Sequence, residues 1–424
     1  MKPKIFLRKN DKGEIIKSFR SDDFNYVINL TNGMVTRWGK GEDDDPPFSP
    51  YGPEIMDLEV STICGGINNK PCSHCYKNNT SVGKNMSFET FQKIFHKIPP
   101  ILTQIAFGIG DLHSNPDLFK MFDYCQNNSH NPHVRPNLTT NGWGLTDEDA
   151  KFIASVCGSI AVSRYSDKDV CYNAVKKLTD AGMKQTNIHQ LLSEETYPEC
   201  FKVIDDIKND PRLKNYGFVV FLLLKPKGKR NILNTVKSSE KYRQLINYAR
   251  DNGVRYGFDS CSGPKVLDIL KDEIALTIPW KKLKTPSFKV KQMYEDMMKQ
   301  GFKTEATRIL RDNAEYEVIE KVIKYSEVIE CCESSLLSSY INIDGRYFHC
   351  SFTEGQEGWQ GVDVLNCEDF LKDVWYHPET VKFRNKLLDQ EKLRPGYRRC
   401  HLFNLYDDEK FIDLEQERQH GSQM

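Results

Sequence analysis

The sequence predicts an α/β protein built on a parallel sheet, open or closed into a full or partial barrel. A small β appendage precedes the sheet and a compact, cysteine-bearing segment follows it. Three observations predict this. From residue 55 to about 260, strand-like runs alternate with helical stretches, and repeated strand–helix units imply parallel strands joined by right-handed crossovers. The first 40 residues hold two turn signals, Asn10-Asp-Lys-Gly13 and Thr31-Asn-Gly33, each flanked by short β-type runs, as two hairpins require. Residues 329–406 carry a strand pair around Ile343–Tyr347 and a helical stretch near Pro378–Asp389.

Taken in order, the strand candidates are Met56–Thr62, Gln104–Gly108, Val134–Thr139, Ser159–Ser163, Asn187–Leu192, Gly217–Leu224 and Arg255–Asp259. Between them, helical periodicity covers Ser87–Lys97, Pro116–Asn127, Thr146–Cys157, Asp169–Ala181, Glu199–Asn209 and Val236–Asn252. Ser87, and Thr146 ahead of Asp147, Glu148 and Asp149, are good N-caps. The acidic run at Asp43–Asp45 reads as a solvated linker, residues 278–328 as a charged helical insertion (Glu315–Tyr325 included), and Glu415–Met424 as a polar tail. The divisions expected are 1–50 for the appendage and linker, 51–275 for the strand–helix core, 276–328 for the insertion and 329–424 for the rear segment.

Composition excludes several classes. Of 424 residues, 39% are hydrophobic and 28% charged, a globular mixture. Lys+Arg and Asp+Glu are both 59, so the formal net charge is zero and no electrostatic footprint of a nucleic-acid binder is expected. No run approaches the roughly 18 apolar residues of a spanning helix, and the start lacks a signal-peptide stretch. A cytoplasmic location is expected.

Thirteen cysteines without such a signal argue against a disulfide framework and leave packing or metal ligation. Cys125, Cys157, Cys171 and Cys200 stand singly in helical patterns and read as core. Cys64, Cys72 and Cys75 share one glycine-bearing loop after the first strand, in a C-x7-C-x2-C spacing. Three thiolates there can reach a common metal or cluster; a zinc site completed by His74 or a distant ligand is the alternative.

On these residues the chain resembles the radical S-adenosylmethionine (SAM) superfamily, whose signature is C-x3-C-x2-C after strand one. Here the first gap is longer. Gly108-Ile-Gly110-Asp111 ends the second strand where the family places a Gly-Gly-Glu-like motif, and Thr139-Thr-Asn141-Gly142 ends the third as the family's Thr-Asn-Gly does. The resemblance implies a partial (β/α)6 TIM-like barrel, with three irons of a [4Fe–4S] cluster on Cys64, Cys72 and Cys75. SAM would then meet His74, Gly108, Gly110, Asp111, Thr139, Asn141, Ser163, Arg164, Asn187 and Leu224. Reductive cleavage of SAM would yield a 5′-deoxyadenosyl radical that abstracts a substrate hydrogen, with an external one-electron reductant of flavodoxin or ferredoxin type.

The rear segment resembles the SPASM or shorter twitch extension of that superfamily, an α+β unit holding auxiliary clusters. The stretch Ile341–Cys350 and the Trp375…Phe383-Arg384 helix carry the match. It implies one further [4Fe–4S] cluster on Cys261, Cys332, Cys350 and Cys400, with Cys331 and Cys367 as substitutes. A zinc site or buried thiols are the alternative. The basic run Lys225–Arg230 reads as a solvated loop or, if functional, a contact for an acidic substrate. A peptide or protein substrate is favoured; a nucleotide or other small metabolite, or a non-enzymatic zinc or iron–sulfur protein, remain the alternatives. No residue that reacts with the substrate is legible.

Overall fold

The structure is a computed structural model that describes residues 3–406 apart from 42, 43, 45, 166, 285, 357 and 395. The tail 415–424 and most of the Asp43–Asp45 run therefore lie outside the described residues. The chain forms two compact units: one combines the chain up to Lys265 with the chain from Glu330 onward, and the other is Val266–Ile329.

In the larger unit, the two turn signals build one sheet rather than two separate hairpins. Strands β1 (Lys4–Lys9), β2 (Ile15–Arg20), β3 (Asn25–Asn29) and β4 (Val35–Trp38) pair antiparallel in sequence order. The sheet buries Phe19, Phe24, Tyr26, Ile28 and Leu30 against Ile101. The Lys17 ammonium donates to the carbonyl of Leu102 (3.3 Å), and Arg135 Nε donates to that of Leu30 (2.7 Å).

The core alternates strand and helix throughout: β5 (Ile55–Glu59), α1 (Phe88–Lys97), β6 (Gln104–Gly108), α2 (Leu118–Asn127), β7 (Arg135–Thr140), α3 (Asp147–Val156), β8 (Ser159–Arg164). It continues with α4 (Lys168–Asp180), β9 (Thr186–Leu192), α5 (Tyr197–Asn209), β10 (Val219–Leu223), α6 (Ser239–Asp251) and β11 (Tyr256–Phe258); α7 (Gly263–Leu270) follows, most of it in the smaller unit. All seven strands are parallel and lie in sequence order. The expected caps form: Ser87 Oγ accepts from Thr90 N at 3.1 Å, and Thr146 with Asp149 closes a capping box. On each strand, alternate residues such as Ile160 and Val162 are buried beneath the helices, which leaves the other set for the opposite face.

The rear segment joins this sheet. β14 (Ser338–Ile341) pairs parallel with β5, and β15 (Arg346–Phe348) and β16 (Val362–Asp363) extend it antiparallel, making ten strands. Helix α10 (Pro378–Leu393) packs Phe383 and Leu387 against Cys332, Leu336 and Leu337.

The smaller unit corrects one expectation. It holds helices α8 (Phe288–Lys299) and α9 (Lys303–Asp312) between two long strands, β12 (Ile274–Leu283) and β13 (Tyr316–Lys324), paired antiparallel. Glu315–Tyr325 was expected to be helical, but the β-branched pairs Val318-Ile319 and Val322-Ile323 suit a strand and lower helix propensity.

Candidate metal and cofactor site

The loop that follows β5 carries Cys64 and Cys72 to the C-terminal ends of β6, β7 and β8, and sets Cys75 against Gly228 of the loop after β10. Among the residues that line one cavity there are Cys64, Cys72, Gly110, Thr139, Asn141, Ser163 and Tyr165. A glycine is required at 110: a Cβ built there would lie 2.4 Å from the Cys64 sulfur. Asp111 fixes the loop, accepting from Gly65 N (2.5 Å), Asn141 Nδ2 (2.8 Å) and the Cys64 thiol (3.5 Å). Asp111 and Asn141 thus hold each other, whichever ligand they meet.

Burial, and then the Asp111 charge, push the Cys64 thiol up to about 12. Burial also raises Cys72, although the Tyr165 phenol favours its thiolate. Such thiols keep their protons unless a cation replaces them, which is what coordination to a metal does. The His74 ring lies 5.7 Å from that of Tyr165, and burial lowers its affinity for a proton, so it presents a neutral aromatic face.

Three of the expected SAM contacts are placed otherwise. Arg164 faces the helix side of β8, where its guanidinium donates to Tyr172 (2.8 Å), Gln190 (3.0 Å) and Glu199 (3.1 Å). Strand alternation explains this, because Ser163 and Tyr165 share the cavity side and Arg164 takes the other. Asn187 sits toward the opposite end of the sheet, its amide donating to Ser159 Oγ (3.3 Å) and accepting from Phe218 N (3.0 Å). Leu224 is buried, and both of its backbone groups are used, by Leu192 O (2.9 Å) and Thr235 Oγ1 (3.0 Å). Gly108 closes the ladder beside Glu59 and Thr139.

Sequence reasoning missed Tyr165 and Asp57, and named His189 only as part of the strand-five stretch Asn187-Ile-His189. His189, in register with Ser163 on β9, has a buried Nδ1 with no hydrogen-bond partner, and burial pushes its pKa down to about 4. Asp57 on β5 is exposed on the strand face opposite Met56 and Leu58. Period-two alternation along β8 was the signal that could have found Tyr165.

The rear cysteines divide sharply. Cys261, Cys332, Cys350 and Cys400 act on one another electrostatically, and burial pushes the Cys332 thiol up to about 12. The backbone holds them: Cys332 N donates to Arg398 O (3.3 Å), Arg398 Nε donates to Cys332 O (2.8 Å), and Tyr406 OH donates to Cys261 O (2.9 Å). Cys331 lies against Gly263 and Arg398 instead, and Cys367 donates to Val364 O (3.2 Å). Cys125, Cys157, Cys171 and Cys200 are buried singles.

Among the described residues no three His, Cys, Asp or Glu side chains gather closely enough to hold one metal ion. Zinc at about 2.3 Å from each sulfur needs its sulfurs within roughly 4 Å of one another. A four-iron cluster takes one cysteine per iron and spaces its sulfurs wider than one zinc ion does.

The basic run also departs from a solvated loop. Lys225 is buried in an ion pair with Asp259, and Lys227 donates to the carbonyls of Phe352 (2.9 Å) and Glu354 (2.6 Å). Beside it, Lys77 pairs with Glu59 (3.0 Å) and Glu354 and donates to Tyr340 OH (2.7 Å), tying the front loop to the rear hairpin.

Among solved structures, the chain is similar to SuiB of Streptococcus suis, at 10% identity over 94% of this chain and 98% of that one, with a TM-score of 0.57. SuiB bound to precursor peptide SuiA matches at 11% identity over 86% of this chain and 90% of that one, TM-score 0.56. SuiB bound to S-adenosylmethionine matches at 12% over 84% and 78%, TM-score 0.54. At such identities the likeness establishes that this chain shares the fold of SuiB. No family model matches the sequence, and no curated protein matches it. Among the described residues no helix is long and apolar enough to cross a membrane.

Proposed function

We propose that this chain is a radical SAM enzyme that modifies a peptide or protein. The observation that carries the reading is the front cavity, where Cys64 and Cys72 of one loop meet the polar ends of β6, β7 and β8. The reading takes residues 51–275 as a partial (β/α)6 TIM-like barrel and the segment after residue 329 as a SPASM/twitch-like extension. A [4Fe–4S] cluster with SAM supplies reductive cleavage to methionine and a 5′-deoxyadenosyl radical, which abstracts a substrate hydrogen.

The chain's own residues bind and orient. Cys64, Cys72 and Cys75 hold three irons, while Asp111, through Gly65 and Asn141, keeps the loop closed on its target. Thr139 and Ser163 offer hydroxyls to the polar end of SAM, and the His74–Tyr165 pair offers an aromatic wall for the adenine. Cys261, Cys332, Cys350 and Cys400 hold an auxiliary [4Fe–4S] cluster and, with all four positions filled by thiolates, favour electron transfer over substrate binding. A flavodoxin- or ferredoxin-type protein delivers the electron. The likeness in fold to SuiB, which binds the precursor peptide SuiA, supports a peptide substrate over a small metabolite.

Anaerobic protein reconstituted with iron and sulfide, then given dithionite and SAM, tests the reading. Release of 5′-deoxyadenosine, reduced at least a hundredfold by Cys72→Ala, is the expected result. No release from the unaltered chain overturns it.

A further inference from the structure

We propose that Lys225 is a positioning residue of the rear thiol centre: its ammonium sets a positive charge beside Cys261 and Cys350 and raises the reduction potential of the cluster held there. The inference rests on the reading of the four rear thiols as cluster ligands.

The geometry is that of a clamp. Lys225 lies two residues beyond the end of β10, and its side chain is only 6% exposed. Its Nζ is ion-paired with Asp259, two residues before Cys261. The same Nζ lies 4.8 Å from the ring centroid of Phe352, two residues after Cys350. One ammonium therefore reaches two of the four chain segments that bring thiols to the centre. Asp259 supplies the counter-charge that a buried ammonium needs. A buried ion pair adds little stability over an apolar pair of the same size, so stability alone gives no reason for a lysine here.

The rest of the loop spans to the front centre. Gly228, at φ +107°, sits where a Cβ would be 2.7 Å from the carbonyl of Cys75, so the backbone lies directly on the front cysteine loop. Arg230 donates to Asn79 O at 2.8 Å, and Lys229 N to Asn78 Oδ1 at 2.6 Å. Tyr76, next to Cys75, packs at a tilt against Phe352 with centroids 4.4 Å apart, and its hydroxyl donates to Ser351 at 3.2 Å. The loop and this aromatic pair link the two centres, with Lys225 fixed on the rear side. A fixed positive charge in a poorly solvated site favours the reduced, more negative form of a nearby cluster.

The test is an EPR-monitored redox titration of the reconstituted full chain, with iron counted in each sample. Lys225→Met is expected to keep the iron per chain and the front potential while the rear potential falls. The expected fall is at least tenfold in the one-electron equilibrium, or 59 mV. Lys225→Arg restores most of it, and Asp259→Asn, which leaves the ammonium uncompensated, moves the rear potential the other way. A rear potential unmoved in Lys225→Met with iron intact overturns the inference. Should that variant lose rear iron, Asp259→Asn decides, and no upward shift there overturns it equally. Failure of the underlying reading looks different: the unaltered chain then shows no second iron centre, and the inference falls with it.

Discussion

Gly110 and Cys64 are in van der Waals contact with no room for a methyl group. Gly110→Ala must push the Cys64 sulfur out of the cavity, because overpacking of this kind costs roughly 1–3 kcal/mol when the neighbour cannot yield. The expected outcome is a fold unchanged by circular dichroism, at least half of the front-loop iron lost, and SAM cleavage reduced tenfold or more. Arg164 makes the opposite prediction. Its guanidinium is buried against Glu199 and Asp206 on the helix side, so Arg164→Met is expected to lower stability while leaving the SAM affinity of the folded protein unchanged. The loss is about 2–3 kcal/mol, below that of a fully buried pair because both acids are partly solvated. Denaturation and SAM-binding measurements on the same sample check it, and a large rise in the SAM Kd would return Arg164 to the cofactor site. At this scale, residues that end a strand on a turn were legible, since Asp111 and Asn141 are marked by their glycines. Residues whose role depends on which face of a strand they take, such as Arg164 and Tyr165, needed the alternation to be followed one position further. Asn187 was misplaced along its strand, because a strand's ends do not show in sequence which edge of the sheet they reach.

The elements themselves were legible because their periods are clean. β6 spans the expected residues, and Ser87 and Thr146 cap their helices. The exception is β13, where Glu-Val-Ile-Glu-Lys-Val-Ile-Lys carries apolar pairs at a helix-like spacing and only the β-branched content marks a strand. The attachment of β14 to β5 was not legible, since nothing within a strand names a partner 280 residues away. The seating of the N-terminal sheet yields a pH prediction. Burial lowers the Lys17 pKa from 10.5 to about 8, so between those values the unfolded chain binds a proton that the folded one lacks. Stability therefore rises with pH across this window and falls back as pH drops to 8, by up to about 1.4 kcal/mol per pH unit. Denaturant unfolding at pH 7.5 to 10.5 should show this slope, and Lys17→Met should flatten it. An unchanged slope in the variant contradicts the burial argument.

In the whole molecule, the parallel core and the rear hairpin share a single ten-stranded sheet, which places the two thiol groups on segments flanking the same strand pair, β5 and β14. The front cysteine loop leaves β5, while Cys332 and Cys350 flank β14 and β15. Lys77, held by Glu59, Glu354 and Tyr340, joins the two segments. The central claim is that these are two separate cluster sites. Iron counted per chain after anaerobic reconstitution, in the unaltered protein and in a Cys64→Ala, Cys72→Ala, Cys75→Ala triple variant, tests it most directly. The account predicts about eight irons in the first and about four in the second. Four irons in the unaltered chain and none in the triple variant, or zinc in place of iron in both, would contradict it.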